Sequence, residues 1–270
     1  MGTTREQAQT IPQQRRVAIP EPGAVEQQMR LNRFLARCGI ASRRRSDELI
    51  QSGAIRINGV VVAEPGRVVT VDVDRVEYQG QPVALPERYE YVLLHKPPGY
   101  LVTRSDPGDR PTVYDLVRGL HPGTVPVGRL DMETTGLLLL TDDGDLGYRL
   151  LHPRFVVDKR YEAVVGGDPR EENLDRLRRG MDLDDGPTAP AEVQVDTRWG
   201  SGYKKWARLS LCIHEGRKRQ IRRMLRAVGY PVRELARVEF AGLRIEGLAE
   251  GCFRHLDAAE IRELKARVGL

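Results

Sequence analysis

The chain contains 270 residues, of which 40% are hydrophobic and 30% are charged. This length predicts about two domains, and the apolar share is large enough for a folded core. The longest run of large aliphatic residues, Leu137 to Leu140, is far shorter than the roughly 18 residues that cross a bilayer. Cys38, Cys212 and Cys252 cannot all pair and lack zinc-binding spacing. We therefore expect a cytoplasmic protein rather than a membrane protein, a disulfide scaffold or a zinc finger.

Basic residues exceed acidic residues by five, and the excess is concentrated in two segments. Residues 29–58 contain seven arginines and two acids, and residues 215–237 contain eight basic and two acidic residues. Only six of the 43 basic residues are lysines, and arginine favours bidentate phosphate contacts and stacking on bases. Two such patches are typical of nucleic-acid binding. Arginine-rich helices that simply face solvent would explain the same charge distribution equally well.

The N-terminal part predicts a tail followed by two short helices. Residues 1–28 are rich in glutamine and proline without apolar periodicity, which indicates a disordered tail. From Met29 onward the apolar residues follow helical spacing, and Gly39 is a plausible end of that first helix. Ser42 is a plausible N-cap for a second helix over 43–52. The apolar stripe of the first helix consists of Leu31, Phe34, Leu35 and Cys38.

Short strands are predicted after the second helix. Ile55 and Ile57 alternate with polar residues, and Asn58-Gly59 is a strong hairpin-turn signal before the return over residues 60–62. Residues 68–78 predict a further strand. Residues 81–90 contain two prolines and indicate a linker between domains. The first unit is therefore predicted to be a compact helix–helix–hairpin fold.

This unit resembles the S4 RNA-binding domain. The resemblance rests on the run R-L-N-R-F-L-A-R-C-G-I-A-S-R-R-R-S-D-E-L-I-Q-S-G-A-I-R-I-N-G, which covers residues 30–59. It implies that the two helices present basic side chains to structured RNA. Arg43, Arg44 and Arg45 at the start of the second helix fit this role, because a helix N-terminus also favours phosphate.

A larger α/β domain is predicted from about residue 91, where Tyr91 begins a short strand. Its distinctive segment is V-G-R-L-D-M-E-T-T-G-L-L-L-L-T-D-D-G-D-L over residues 127–146. Residues 137–140 indicate a buried strand, and Asp131 lies on a loop just before it. A carboxylate held there can act as a nucleophile or a general base. An aspartate in such a loop is, however, more often a turn former.

Two further segments carry candidate functional residues. Tyr161 lies at the start of a predicted strand after the turn at residues 152–153, and it offers a ring for stacking and a hydroxyl for proton transfer. Without context a core tyrosine is the more common explanation. The segment E-G-R-K-R-Q-I-R-R-M-L-R-A-V-G over residues 215–229 predicts a helix with an apolar stripe. The arginines off that stripe could hold Asp131 ionised or contact phosphates.

Together these segments resemble the pseudouridine synthases of the RsuA/RluB type. The resemblance rests on G-R-L-D-x-x-T-T-G-L-L-L-L-T-x-D-G from residue 128, with H-K-P-P-G-Y upstream and K-R-Y and E-G-R-K-R-Q-I-R-R-M downstream. R-P-T-V-Y-D-L at residues 110–116 is closer to the RluB side. His95, in place of a more common Asn, and Arg219, in place of a His in some relatives, are minor departures.

The resemblance implies an α+β protein with an S4 domain at residues 29–88 and a catalytic domain at residues 89–270. The catalytic domain is expected to have a mixed, mostly antiparallel central sheet. Asp131 is implied as the catalytic aspartate, Tyr161 as the residue that packs on the target base, and Arg222 as the ion-pair partner of Asp131. RNA contacts are expected from Arg30, Arg33, Arg43, Arg44, Arg45, Arg129, Lys159, Arg217, Lys218, Arg219 and Arg223.

The implied reaction breaks the N1–C1′ bond of a uridine, rotates the detached uracil and rejoins it through C5. We expect neither a metal nor another cofactor, since no phosphate-binding glycine loop or metal-ligand cluster is evident. Asp131 could attack covalently, or it could remove a sugar proton to give a glycal. The expected partner is ribosomal RNA or a ribosomal subunit precursor, with 23S RNA as target and the protein acting as a monomer.

Three alternatives stay open. The target could be 16S RNA. The chain could be an RNA-binding ribosome-assembly factor without catalytic activity, but that leaves the joint presence of Asp131, Tyr161 and Arg222 unexplained. A protein-interaction adaptor would leave both arginine patches unexplained.

Overall fold

The computed structural model of the protein describes residues 28–270. The predicted tail lies outside the described residues, except that Gln28 already belongs to the first strand. The N-terminal elements are β1 (Gln28–Arg30), α1 (Leu31–Arg37), α2 (Arg43–Gln51), β2 (Ile55–Ile57), β3 (Val60–Val62), β4 (Val68–Thr70), β5 (Val76–Tyr78) and β6 (Gln81–Val83).

Both predicted N-terminal helices are confirmed. Leu31, Phe34 and Leu35 of α1 are buried, as their helical spacing predicted. Ser42 caps α2, since its hydroxyl accepts a hydrogen bond from the backbone N–H of Arg45 at 3.3 Å. The helices share a hydrophobic core with a sheet of strand order β3-β2-β5-β6, while β1 pairs with β4.

Two expectations for this unit are wrong. Residues 68–78 form two strands, β4 and β5, because the carboxylate of Asp74 accepts hydrogen bonds from the backbone of Thr70 and from the Asn58 amide, both at 2.8 Å. These bonds fix a turn where alternation alone predicted one strand. The predicted linker over residues 81–90 also begins too early, because Gln81 lies opposite Tyr78 in a β5–β6 hairpin.

The second unit contains the remaining elements. They are β7 (Tyr91–Lys96), α3 (Val113–Leu116), β8 (Val125–Pro126), β9 (Thr135–Thr141), α4 (Gly144–Leu151), a 3₁₀ turn (Pro153–Phe155), β10 (Lys159–Gly166), α5 (Glu171–Arg179), β11 (Asp182–Leu183), β12 (Gly186–Pro187), β13 (Glu192–Ser201), β14 (Lys204–Ile213), α6 (Gln220–Ala227), β15 (Val232–Phe240), β16 (Leu243–Arg244), β17 (Phe253–His255) and α7 (Ala258–Ala266).

A nine-stranded central sheet organises this unit. Its main order is β13-β14-β10-β15-β9-β7-β17, with β16 beside β15 and β8 beside β9. The β9–β15 pair is parallel and the other described pairs are antiparallel, which confirms the predicted mixed, mostly antiparallel sheet. Leu137 and Leu139 enter one hydrophobic cluster while Leu138 and Leu140 enter another, so β9 is covered on both faces.

The two units contact each other through α1. The guanidinium of Arg33 pairs with the carboxylate of Asp145 at 2.5 Å. The guanidinium carbon of Arg37 lies 3.9 Å from the ring centroid of Tyr89. The predicted domain boundary at residues 88 and 89 falls between β6 and β7. In the described part of the chain, no helix is both long and apolar enough to cross a membrane.

Candidate active site

A cleft of about 610 Å³ opens at the end of the central sheet where β9 and β10 begin. One wall is the loop that carries Asp131, and the sheet contributes Tyr161 of β10 and Arg237 of β15. The opposite side is formed by residues 216–221 at the start of α6 and by the segment from Leu101 to Arg110. Residues far apart in sequence therefore converge because their strands are neighbours in one sheet.

The Asp131 loop is fixed through its backbone. The N–H of Thr134 donates to the carbonyl of Asp131 at 3.0 Å, and the N–H of Gly99 donates to the carbonyl of Met132 at 2.8 Å. The carboxylate of Asp131 is half-buried and forms no ion pair or hydrogen bond with any residue in the range 28–270. Asp131 lines the cleft, and none of these residues occupies its carboxylate oxygens.

Lys96 braces the same loop from inside the protein. Its side chain is fully buried, and its ammonium donates to the carbonyls of Pro97, Met132 and Thr134 at 2.9, 3.2 and 2.8 Å. Burial lowers the pKa of Lys96 to about 8, while the charge of Asp131 acts in the opposite direction. The lysine thus places a positive charge behind the Asp131 carboxylate and holds the loop that carries it.

Two buried side chains on β10 face the cleft. Tyr161 is 9% exposed and packs in the core cluster that also contains Leu130. Lys159 is 7% exposed, and its ammonium donates to the carbonyls of Val157 and His214 at 2.8 and 3.2 Å. Two of the three ammonium donors of Lys159 are therefore used within the protein, and its role as an RNA contact stays a prediction.

The predicted ion pair between Arg222 and Asp131 is not formed. Instead Nη2 of Arg222 donates to the carbonyl of Glu133 at 3.3 Å and to the hydroxyl of Thr134 at 3.5 Å. Burial lowers the pKa of the Arg222 guanidinium, as does the neighbouring charge of Arg219. Arg222 therefore supports the Asp131 loop from behind, and its role in catalysis stays a prediction.

Several predicted RNA contacts are held in ion pairs within the protein. Arg217 and Arg223 converge on the carboxylate of Asp185, Arg219 pairs with Glu133 at 2.9 Å, and Arg33 pairs with the neighbouring domain as described. Spacing in the sequence could not reveal these partners. Arg223 also does not line the cleft, whereas Arg217 and Arg219 do.

The other predicted contacts are available to a ligand. Arg129 and Lys218 are exposed at the cleft rim and form no ion pair with the described residues. The exposed side chains at the start of the first two helices are Arg30, Arg43, Arg44 and Arg45, of which Arg45 pairs with Glu48. Two basic surfaces are thus present, one on α2 and one on the cleft rim.

Sequence reasoning missed Lys96 and Arg237. Lys96 lies within the H-K-P-P-G-Y segment, where a lysine ending an apolar strand is a signal of burial. Arg237 alternates with apolar neighbours along β15, but only the sheet order places it beside Tyr161. The candidate site is therefore more positive on its inner wall than the sequence predicted.

Comparison with known proteins identifies the class of protein that this site belongs to. Residues 90–227 match the RNA pseudouridylate synthase family, and residues 29–74 match the S4 domain. The chain belongs to the RNA pseudouridylate synthase family, which confirms the predicted family, fold and enzyme class.

Individual relatives align over most of the chain. The large-subunit pseudouridine synthase B of Bacillus subtilis is 41% identical over 88% of this chain and 96% of its own length. An uncharacterised RNA pseudouridine synthase of Mycobacterium leprae is 41% identical over 90% of this chain and 94% of its own length. A crystal structure of a pseudouridylate synthase covers 87% of this chain and 99% of its own, with a TM-score of 0.61 and 29% identity.

Proposed function

We propose that this protein converts a specific uridine of the large-subunit ribosomal RNA to pseudouridine, with Asp131 as the catalytic group. The observation that carries the proposal is the carboxylate of Asp131, which has no ion-pair or hydrogen-bond partner among residues 28–270 and lies in a cleft lined by basic side chains. Family membership supplies the reaction class. The relatives named as large-subunit enzymes in Bacillus subtilis, Pseudomonas aeruginosa and Salmonella typhimurium support the choice of RNA.

The geometry suits a base that has left its helix. A uridine in folded RNA must be unstacked and flipped before Asp131 can reach it, at a cost of a few kcal/mol. Phosphate contacts at Arg129 and Lys218 on the rim, together with the exposed arginines of α2, can offset that cost. The flipped base then lies against the buried ring of Tyr161.

Catalysis requires Asp131 to stay ionised beside the sugar. Lys96 and Arg222 hold the loop that carries Asp131 through its backbone carbonyls, and neither side chain occupies the carboxylate oxygens. The carboxylate can bond to C1′ or remove the C2′ proton, and both routes release the base from C1′. The base rotates, and C5 bonds to C1′ as the carboxylate–C1′ bond breaks or, in the second route, as the proton returns to C2′. C5 then loses its proton and N1 gains one.

We further infer that the protein acts in the cytoplasm, on ribosomal RNA or a subunit precursor, as a monomer. The S4 domain supports an RNA partner.

The decisive experiment uses RNA labelled with tritium at C5 of uridine, because the reaction releases that proton to water. We expect the purified wild type to release tritium from 23S RNA, Asp131→Asn to release none, and both proteins to bind the RNA with dissociation constants within about twofold. Asp196→Asn is the matched control, since this exposed aspartate on β13 accepts a hydrogen bond from Ser210, its one side-chain bond within residues 28–270, and lies outside the cleft.

Each contrary result has a distinct meaning. Release from 16S RNA alone would keep the reaction and overturn the target. Equal loss of binding and turnover in Asp131→Asn would show that this aspartate is structural. Binding without release by the wild type would favour an RNA-binding assembly factor over an enzyme.

A further inference from the structure

Arg237 forms part of the inner wall of the cleft, directly beside Tyr161. The two residues lie opposite each other in the antiparallel β10–β15 pair, so their side chains share one face of the sheet. Arg237 is only 3% exposed, yet it lines the same cleft as Asp131. Its guanidinium carbon lies 4.8 Å from the ring centroid of Phe240, which supports the cation from below.

This buried guanidinium has donors that the protein does not use. A guanidinium carries five N–H donors. Within residues 28–270, Nε of Arg237 donates to the carbonyl of Leu137 at 2.8 Å, whereas Nη2 is buried without an acceptor. No carboxylate in that range lies within 4.0 Å of the guanidinium. An unpaired buried cation is costly, so its persistence at a cleft wall points to an acceptor supplied by the substrate.

Lys159 adds positive charge to the same wall. Its ammonium is bonded to the carbonyls of Val157 and His214, and it lies 5.9 Å from the Phe240 ring centroid. Burial lowers the pKa of Lys159 to about 8, and the charge of Arg237 contributes to the same shift. A hydrogen-bond acceptor that gains negative charge during the reaction would be stabilised here.

We propose that Arg237 donates from its Nη groups to a carbonyl oxygen of the flipped uracil and stabilises the negative charge that develops on the base. This inference rests on the proposed function. When the N1–C1′ bond breaks, its electron pair leaves with the uracil, and the charge spreads over N1, O2 and O4. The base then bonds through C5 to C1′, C5 loses its proton and N1 gains one, so the reaction is a balanced isomerisation.

A base carbonyl fits this wall better than a phosphate does. The guanidinium lies on the inner wall of the cleft beside Tyr161, both residues are buried, and the proposed function places the flat base against this ring. A phosphate would have to lose its hydration there. The exposed Arg129 and Lys218 at the rim offer phosphates a better hydrated position.

The first test measures single-turnover rates and RNA affinity separately. We expect Arg237→Met to lower the single-turnover rate by about 10²-fold, as removal of a donor to a developing oxyanion does, with the dissociation constant within about threefold of the wild type. Arg237→Lys keeps the charge and should retain more of the rate. Arg244→Met is the control, since this exposed arginine lies on β16 outside the cleft. A rate for Arg237→Met within about threefold of the wild type would overturn the proposal.

The second test identifies the contacted oxygen and separates catalysis from folding. Substrates carry 2-thiouridine, 4-thiouridine or a phosphorothioate at the target, and the sulfur effect is measured in the wild type and in Arg237→Lys. If Arg237 contacts a base carbonyl, one thio-base effect should differ between the two proteins by at least about fivefold, because contacting groups are not additive. A difference confined to the phosphorothioate would assign a phosphate contact and overturn the proposal.

Equal sulfur effects in both proteins would show that Arg237 has only a structural role, and this result would also overturn the proposal. These failures are distinguishable from failure of the proposed function, because each of them requires a wild type that forms pseudouridine. A wild type that does not form pseudouridine would refute both.

Discussion

Gly136 makes the β9–β15 contact possible, and its replacement should disrupt both the sheet and the site. Gly136 lies opposite Arg237 in the parallel pair, with φ of +113°. A Cβ at this position would lie 2.5 Å from the backbone nitrogen of Arg237 and closer still to its carbonyl oxygen. Backbone atoms cannot move aside as a flexible side chain can, so the strands must separate.

The cost of Gly136→Ala follows from two effects. A positive φ in a residue with a Cβ costs about 1–2 kcal/mol. Forcing extra volume into a packed position costs about a further 1–3 kcal/mol. We therefore expect a loss of about 2–5 kcal/mol, which lowers the Tm of the catalytic domain by about 5–15 °C. Because Asp131 lies on the loop before β9, turnover should also fall, by about 10²-fold for a shift of about 1 Å.

The assay is thermal unfolding followed by circular dichroism, with tritium release measured below the transition. Gly144→Ala is the matched control, because Gly144 begins α4 and a Cβ there meets nothing within 4 Å. It should leave activity unchanged and raise stability by about 0.5–1 kcal/mol. A Tm for Gly136→Ala within about 2 °C of the wild type would refute the argument for backbone contact.

Three further predictions concern the RNA surface, the loop support and the stacked ring. Arg43→Glu combined with Arg44→Glu should weaken RNA binding, and the slope of log affinity against log salt should fall by about 1–2; an unchanged slope would remove α2 from the interface. Lys96→Met should slow turnover by releasing the Asp131 loop. The pKa of Lys96 is lowered from 10.5 to about 8, so the unfolded state holds more protons between these values. The stability of the wild type relative to Lys96→Met should therefore rise from pH 8 to pH 10 in urea unfolding, and an unchanged difference would contradict the burial argument. Tyr161→Phe tests whether the hydroxyl of Tyr161 transfers a proton. If Tyr161→Phe turns over at nearly the wild-type rate and only Tyr161→Ala loses most of the activity, the residue acts by stacking alone.

Local patterns predicted the elements whose determinants lie close together in sequence. Asn58 and Gly59 adopt the positive φ values that the hairpin turn requires, and Ser42 caps its helix as expected. The leucines of β9 are buried because an uninterrupted apolar run suits a strand that is covered on both faces. The turn between β4 and β5 was not predicted. It is fixed by hydrogen bonds to the Asp74 carboxylate, and an alternating apolar pattern contains no information about such bonds.

The site was only partly predictable because its inner wall depends on strand order. Motifs alone identified Asp131 and Tyr161, and the structure brings both to one cleft. Arg237 joins them only through the pairing of β15 with β10 and β9. Arg217, Lys218, Arg219 and Arg223 were predicted as RNA contacts around the start of α6. Asp185 holds two of them, Arg217 and Arg223, and that contact spans more than thirty residues of sequence.

The central claim is that this protein makes one pseudouridine in ribosomal RNA through Asp131. The most direct measurement is carbodiimide labelling and primer extension of total ribosomal RNA from cells with and without the gene. The account predicts one site lost from 23S RNA, restored by the wild-type gene and not by Asp131→Ala. Retention of every site, in cells where no other enzyme modifies the same position, would contradict it, and restoration by Asp131→Ala would contradict the assigned catalytic group.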